Sequence, residues 1–147
     1  MATTNATISI SSDIMGYGVN ISKSMTLKKA QSCTNLEETS GLRTKKFINT
    51  NAIAIIEADE YTAASDGTAN SGHKVYIRNT SSDKANYFYI AINASAAAQT
   101  TTETIGKLYG SDWLLMPYTG GTNITVASST TDTQYLEYIV FADGMTK

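Results

Sequence analysis

The side chains that usually run chemistry near neutral pH are scarce in this chain of 147 residues, which holds one histidine, His73, and one cysteine, Cys33. Nucleophilic or acid–base catalysis asks for an activated Ser or Cys beside a positioned His, or for paired carboxylates in a pocket. His73 follows Ser71-Gly72 and precedes Lys74, at the junction of a loop with a strand. No Gly-x-Ser-x-Gly elbow and no His-x-x-x-His pair accompanies it, so it reads as a structural or exposed histidine. Cys33 has no second cysteine for an intrachain disulfide, which fits synthesis in a reducing cytoplasm.

The nearest approach to a carboxylate cluster is Glu57, Asp59, Glu60 and Asp66, the last followed by Gly67. A Ca²⁺ ion takes six to eight oxygens, often from a tight acidic loop with glycine at its bend. The spacing here matches no standard loop. Asp59, Glu60 and Asp66 are the candidate ligands, but a solvated loop turned by Asp-Gly is the plainer reading, and no metal or cofactor is expected. Two of these carboxylates in a glycosidase would need an aromatic-lined cleft, which the sequence does not define.

Aromatic side chains offer a different chemistry, adhesion. Tyr61, Tyr87, Tyr89, Tyr109, Trp113 and Tyr118 would make a carbohydrate platform if they shared one exposed face. Within strands, however, aromatics more often fill a core or a subunit interface. Asn-x-Ser/Thr triplets begin at Asn5, Asn20, Asn79, Asn93 and Asn123. The opening Met-Ala-Thr-Thr-Asn has no basic region followed by an apolar stretch, so no secretory signal is expected, and the triplets read as products of Ser/Thr abundance.

The elements that must position these residues are strands. Val19, Ile21, Lys23, Met25 and Leu27 alternate with Asn20, Ser22, Ser24, Thr26 and Lys28; upstream, Ile8 and Ile10 alternate with Thr7, Ser9 and Ser11. Period two marks strands with one apolar face. Met15-Gly16-Tyr17-Gly18 between them predicts a hairpin. Residues 30–41 read as a loop with a short helical turn around Asn35 to Glu38. Strands are expected over Leu42–Ile48, Lys74–Asn79, Asn86–Asn93, Ile105–Leu108, Trp113–Tyr118, Asn123–Ala127 and Tyr135–Phe141. For Ala52–Glu57 the β-branched content favours strand over the rival helix. Lys74–Asn93 is expected to be a second hairpin, and 59–72 and 94–104 to be loops. Pro117, the only proline, sits where a strand closes and a lost amide donor is tolerated. The fold expected is all-β: a single-domain antiparallel β-sandwich over 1–147, jelly-roll-like, of nine or ten short strands with little helix.

Charge narrows the partners. Net charge is −2 and charged residues make up 16%, against roughly 25% in an average domain. Arg43, Lys45 and Lys46 are too few to hold a phosphate backbone, so no nucleic acid is expected. No apolar run reaches the length of a membrane helix, so no membrane is expected either.

One resemblance sharpens this reading. The run Leu108-Tyr109-Gly110-Ser111-Asp112-Trp113-Leu114-Leu115-Met116-Pro117, then Asn123-Ile124-Thr125-Val126, then Tyr135-Leu136-Glu137-Tyr138-Ile139-Val140-Phe141, resembles small virion structural proteins of tailed bacteriophages, notably marine cyanophages. There a glycine–acidic–aromatic–Pro turn precedes a Thr/Ser-rich strand and a closing Leu-Glu-Tyr strand. The opening residues 2–13 and the segment 74–93 resemble the same group more loosely. The resemblance implies a non-enzymatic virion component, a capsid decoration (cement) protein on the capsid exterior, made in the host cytoplasm and bound to the major capsid protein, to copies of itself (a homo-oligomer, with a trimer one form), or to both. A tail, fibre or baseplate part and a glycan-binding adhesion module are the alternatives. It carries no site residues across. Residues 1–12 are expected to form an interface strand or arm, and Ile8, Ile10, Tyr61, Trp113, Tyr118 and Asn123 are the interface candidates.

Overall fold

A computed structural model describes residues 3–13, 16, 18–29, 34–36, 38–61, 72–92 and 104–143. Cys33, Asp66, Gly67, Asn93, the residues Met15 and Tyr17 of the first predicted turn, and most of the predicted 59–72 and 94–104 loops lie outside the described residues. The described chain forms eleven strands and no α-helix: β1 (Asn5–Ser12), β2 (Val19–Thr26), β3 (Glu38–Thr39), β4 (Arg43–Phe47), β5 (Ile53–Ile56), β6 (His73–Asn79), β7 (Tyr87–Ile92), β8 (Thr104–Tyr109), β9 (Trp113–Tyr118), β10 (Ile124–Ser128) and β11 (Gln134–Ala142).

β4 to β11 build two facing four-stranded sheets. One runs β4-β11-β6-β9, with β3 continuing the β4 edge along the far end of β11; the other runs β5-β10-β7-β8. Every sheet pairing is antiparallel. Numbering β4 to β11 as eight successive strands, this is the strand order of a jelly roll, in which two Greek keys wrap a sandwich. The inner faces meet as alternation dictates: Val75 and Ile77 of β6, Leu136 and Val140 of β11, Phe88 and Ile90 of β7, and Ile124 and Val126 of β10 are all sealed from solvent. Fully burying such side chains contributes about 1.5–3 kcal/mol each, offset by the entropy of ordering them.

Two sequence expectations need correction, and a third is borne out. The helical turn around Asn35 to Glu38 is absent: Asn35 bridges to Lys28, and Glu38–Thr39 pairs with Ala142 and Phe141. Ala52–Glu57 takes the strand form, as β5. Most instructive, Lys74–Asn93 is not a hairpin. β6 pairs with β11 and β9, whereas β7 pairs with β10 and β8 in the opposite sheet. The connection between them is an arch that lets both strands bury an apolar face.

Asn79 fixes that arch. Its side chain is buried, with Nδ2 donating to the carbonyls of Leu108 (3.0 Å) and Asn86 (3.3 Å), and Oδ1 accepting from the Ser81 amide (3.0 Å). The turn from β8 to β9 nests against it: Ser111 N–H donates to Asn79 O, and a Cβ on Gly110 would overlap the Asp83 carbonyl. Glycine is required there by close approach of two backbones. Edges are blunted by charge and proline: Arg43, Lys45 and Lys46 lie on edge strand β4, and Pro117 on edge strand β9.

β1 and β2 stand apart as a two-stranded hairpin, paired only with each other. The root of this arm is clamped. Leu27 and Leu36 are buried, Leu27 N–H donates to Thr4 O, Leu36 N–H to Leu27 O, and Asn35 Nδ2 to Thr3 Oγ1.

Candidate functional site

Three places concentrate the residues singled out by the sequence. The first is the end of the sandwich around His73. The ring has no exposure, lies 5.6 Å from the Tyr61 ring and 5.8 Å from the Tyr118 ring, and its Nδ1 accepts from the Asp143 amide at 2.9 Å. Accepting at Nδ1 leaves Nε2 to carry the proton of the neutral ring. Tyr118 donates its hydroxyl to Thr122 O at 2.5 Å. Burial pushes both the Tyr61 and Tyr118 phenols above their ordinary pKa. These three rings plug the sandwich, a packing role. Tyr61 and Tyr118 are therefore corrected as interface candidates: aromatics that close a core present no surface to a partner. Asn123 has a bond within the fold. It is half-buried, and its Oδ1 accepts from Ala58 N–H at 2.8 Å, tying the turn after β9 to the end of β5.

The candidate ligands form a turn beside this plug. Glu60 Oε2 accepts from Glu57 N–H, and Oε1 lies 3.6 Å from the Arg43 guanidinium. Asp59 is exposed in the same turn. Among the described residues, no three His, Cys, Asp or Glu side chains gather in a way that would hold a metal ion.

The second place is the outer face of the β5-β10-β7-β8 sheet. Register sets Tyr87 opposite Tyr109 and Tyr89 opposite Lys107. The Tyr87 and Tyr89 hydroxyls are 3.2 Å apart, and Lys107 Nζ sits 4.6 Å from the Tyr87 ring centre and 5.4 Å from that of Tyr89. Their shared hydrogen bond draws the Tyr87 pKa down and pushes that of Tyr89 up; charge on those phenols raises Lys107. A sugar ring stacks on a flat aromatic platform. Here the rings stand at 82° (Tyr87 to Tyr89) and 55° (Tyr87 to Tyr109), with Lys107 over the ring faces. Three of the six candidates for a glycan surface come together here, in a folded, capped arrangement.

The third place is the arm. Pairing puts Ala6 opposite Met25, Ile8 opposite Lys23, Ile10 opposite Ile21 and Ser12 opposite Val19, so one face is apolar and the other is all Ser, Thr and Asn. Ile8, Ile10, Val19, Ile21 and Met25 are each between 41% and 48% exposed. Between this face and the sandwich lies a cleft of ≈ 600 Å³, walled by Ile8, Ile10 and Met25 on one side and by Trp113 and Leu115 on the other. A smaller hollow of ≈ 360 Å³ continues to the root, where Leu27 faces Ile139 and Phe141. No family model, curated protein or solved structure matches this chain.

Of the six interface candidates, Ile8, Ile10 and Trp113 thus share one cleft. Met25 and Leu115 belong to it as well and were not among the candidates. The signal for Met25 was its place in the alternation of β2, whose apolar face the register joins to Ile8 and Ile10.

Proposed function

We propose that this protein is a non-enzymatic bacteriophage virion component, a capsid decoration (cement) protein that bridges neighbouring capsomers on the capsid exterior. The observation that carries the reading is the arm: the jelly roll holds out a hairpin whose apolar side chains stay close to half exposed along an open cleft. Contiguous exposed apolar surface of this size marks an interaction site on a soluble protein. The likeness of the last third to virion proteins agrees with it, and so does the fold, which recurs in viral capsid and lectin domains, an argument from analogy only.

The mechanism is linkage. A protein that binds the assembled shell, and not its free subunits, shifts the equilibrium toward the shell. Many weak contacts on a lattice then act together. The low charge of the chain suits a surface lying against neighbours. An adhesion role through the Tyr87–Tyr89–Tyr109 patch is disfavoured by the angles between its rings.

The test is abundance and place in purified particles. Gel densitometry should give a copy number comparable with the major capsid protein, and labelling in electron micrographs should fall on the head. A few copies at the tail would move the protein to a tail or baseplate role; absence from particles would end the reading.

A further inference from the structure

The cleft under the arm is more than an apolar gap. Three consecutive residues of β9 line it, Trp113, Leu114 and Leu115, although their side chains alternate between the two faces of the sheet. It therefore meets the strand itself and not the outer face alone. β9 is an edge strand, paired with β6 only among the described residues. Asn79 N–H donates to Asp112 O, which sets the ladder: Leu114 and Met116 exchange their bonds with β6, and the N–H and C=O of Trp113 and Leu115 point away from it. Pro117 falls in the same outward set, where it has no N–H to offer.

β1 is in the same state across the cleft. Leu27 N–H donates to Thr4 O, so Ala6, Ile8 and Ile10 bond to β2, and the main-chain groups of Thr7 and Ser9 face the free edge. Both residues also line the cleft. The rest of its lining is mainly the apolar side chains of Ile8, Ile10, Met25, Trp113 and Leu115, with a single charge, Lys23. Lys23 is exposed and forms no ion pair among the described residues.

These features specify an occupant. Main-chain donors and acceptors left in a row along a strand edge call for another extended backbone, which supplies both at the same spacing. An acyl chain would fill the apolar part and leave those edges idle. An ammonium at the margin of an apolar cleft favours a carboxylate. The lining residues of β1, Ala6 to Ile10, run for about 17 Å, which fixes the length. We propose that the cleft captures an extended apolar segment of a partner polypeptide, about five residues long and carrying one Asp or Glu, as a strand added to β9 beneath the arm. The inference rests on the decoration reading, which makes the capsid surface that partner. The added strand exchanges hydrogen bonds with Trp113 and Leu115, lays one face against Ile8 and Ile10, and sets its carboxylate near Lys23. Pro117 marks where the pairing ends.

Trp113 is the one tryptophan of the chain and is half exposed at the site, so its emission reports occupancy. The probe is a short acetylated and amidated peptide of alternating Val and Thr with a central Glu. Titrated to about 1 mM, the weak end of specific binding, it should shift Trp113 emission to the blue and saturate. A copy N-methylated through its centre keeps the side chains and loses the amide donors, and should bind at least about 10-fold more weakly. Lys23→Glu should weaken binding about 5-fold, and a peptide with Lys in place of its Glu should recover it. Circular dichroism melting should show that variant folded like the wild type. Emission unmoved by the peptide, an N-methylated copy that binds equally, or affinity indifferent to the charge exchange would each overturn the proposal. So would a shift produced by dodecanoate and not by the peptide, which would make the cleft an acyl site. On particles the two readings part. If excess peptide leaves the chain bound to the capsid, decoration stands and the cleft is not its contact. A chain that takes up the peptide but is absent from particles keeps the cleft's role and loses the decoration role.

Discussion

β6 and β1 are written alike and end up in opposite circumstances. Both alternate apolar with polar residues. Val75 and Ile77 of β6 are completely buried, whereas Ile8 and Ile10 of β1 remain close to half exposed. β6 lies in the interior of its sheet, with the other sheet stacked on its inner face, while β1 pairs with β2 alone. Alternation decides which face of a strand is apolar; topology decides whether anything covers it. The uncovered case is where an assembly contact should be sought.

The largest effect that would test this contrast sets one substitution in each region. Phe88, buried and 4.9 Å from the Phe47 ring, should cost about 3–5 kcal/mol as Phe88→Ala. Ile10→Ala should change stability by less than about 0.5 kcal/mol in dilute urea titrations, because no core closes over it. A comparable loss at both positions would mean that the arm folds as part of the cooperative unit, and the contrast would fail.

A second, smaller effect separates the two regions by the way they are joined. The arm is a local hairpin; the sandwich depends on arches that carry the chain between sheets. Asn79→Ala leaves the Leu108 carbonyl and the Ser81 amide without the partners they have now. Buried polar groups stranded in this way cost about 2–3 kcal/mol. Urea unfolding should show that loss, with the arm's own register unaffected in amide exchange. A neutral outcome would show that the strand faces alone hold the arch.

The sequence made the strands legible and the pairings less so. Ten of the eleven strands announce themselves by apolar alternation or by short apolar runs. β3 does not, because two residues carry no period and Glu38–Thr39 is a strand only through the end of β11. The false hairpin at 74–93 has the same origin: a strand's local pattern does not say whether its neighbour in sequence is its neighbour in a sheet. Asn79 held the clue, a polar residue at an inward position, intelligible only once the arch it satisfies is known. Tyr61 and Tyr118 stood among the interface candidates, yet both rings are buried against His73 and each other at the end of the sandwich. Ile8, Ile10 and Trp113, by contrast, keep about half of their apolar surface exposed on the two walls of the cleft.

The smallest effect is a pH dependence confined to the sealed region. Burial raises the Tyr61 and Tyr118 phenols above the ordinary value of 10.0 in the folded chain. Above that pH the unfolded chain gives up these protons more readily than the folded one, so stability is complete below pH 10 and falls as pH rises through the folded values. Tyr118→Phe removes one of the two groups along with its bond to Thr122 O, which should cost about 1 kcal/mol near neutrality. In alkaline solution the variant should lose less than the wild type, and the gap between them should narrow. Urea midpoints measured at intervals between pH 8 and pH 11 give the comparison. A gap that stays constant would mean that the phenol ionises without opening the end of the sandwich, and that His73 and its two tyrosines are a looser plug than their burial indicates.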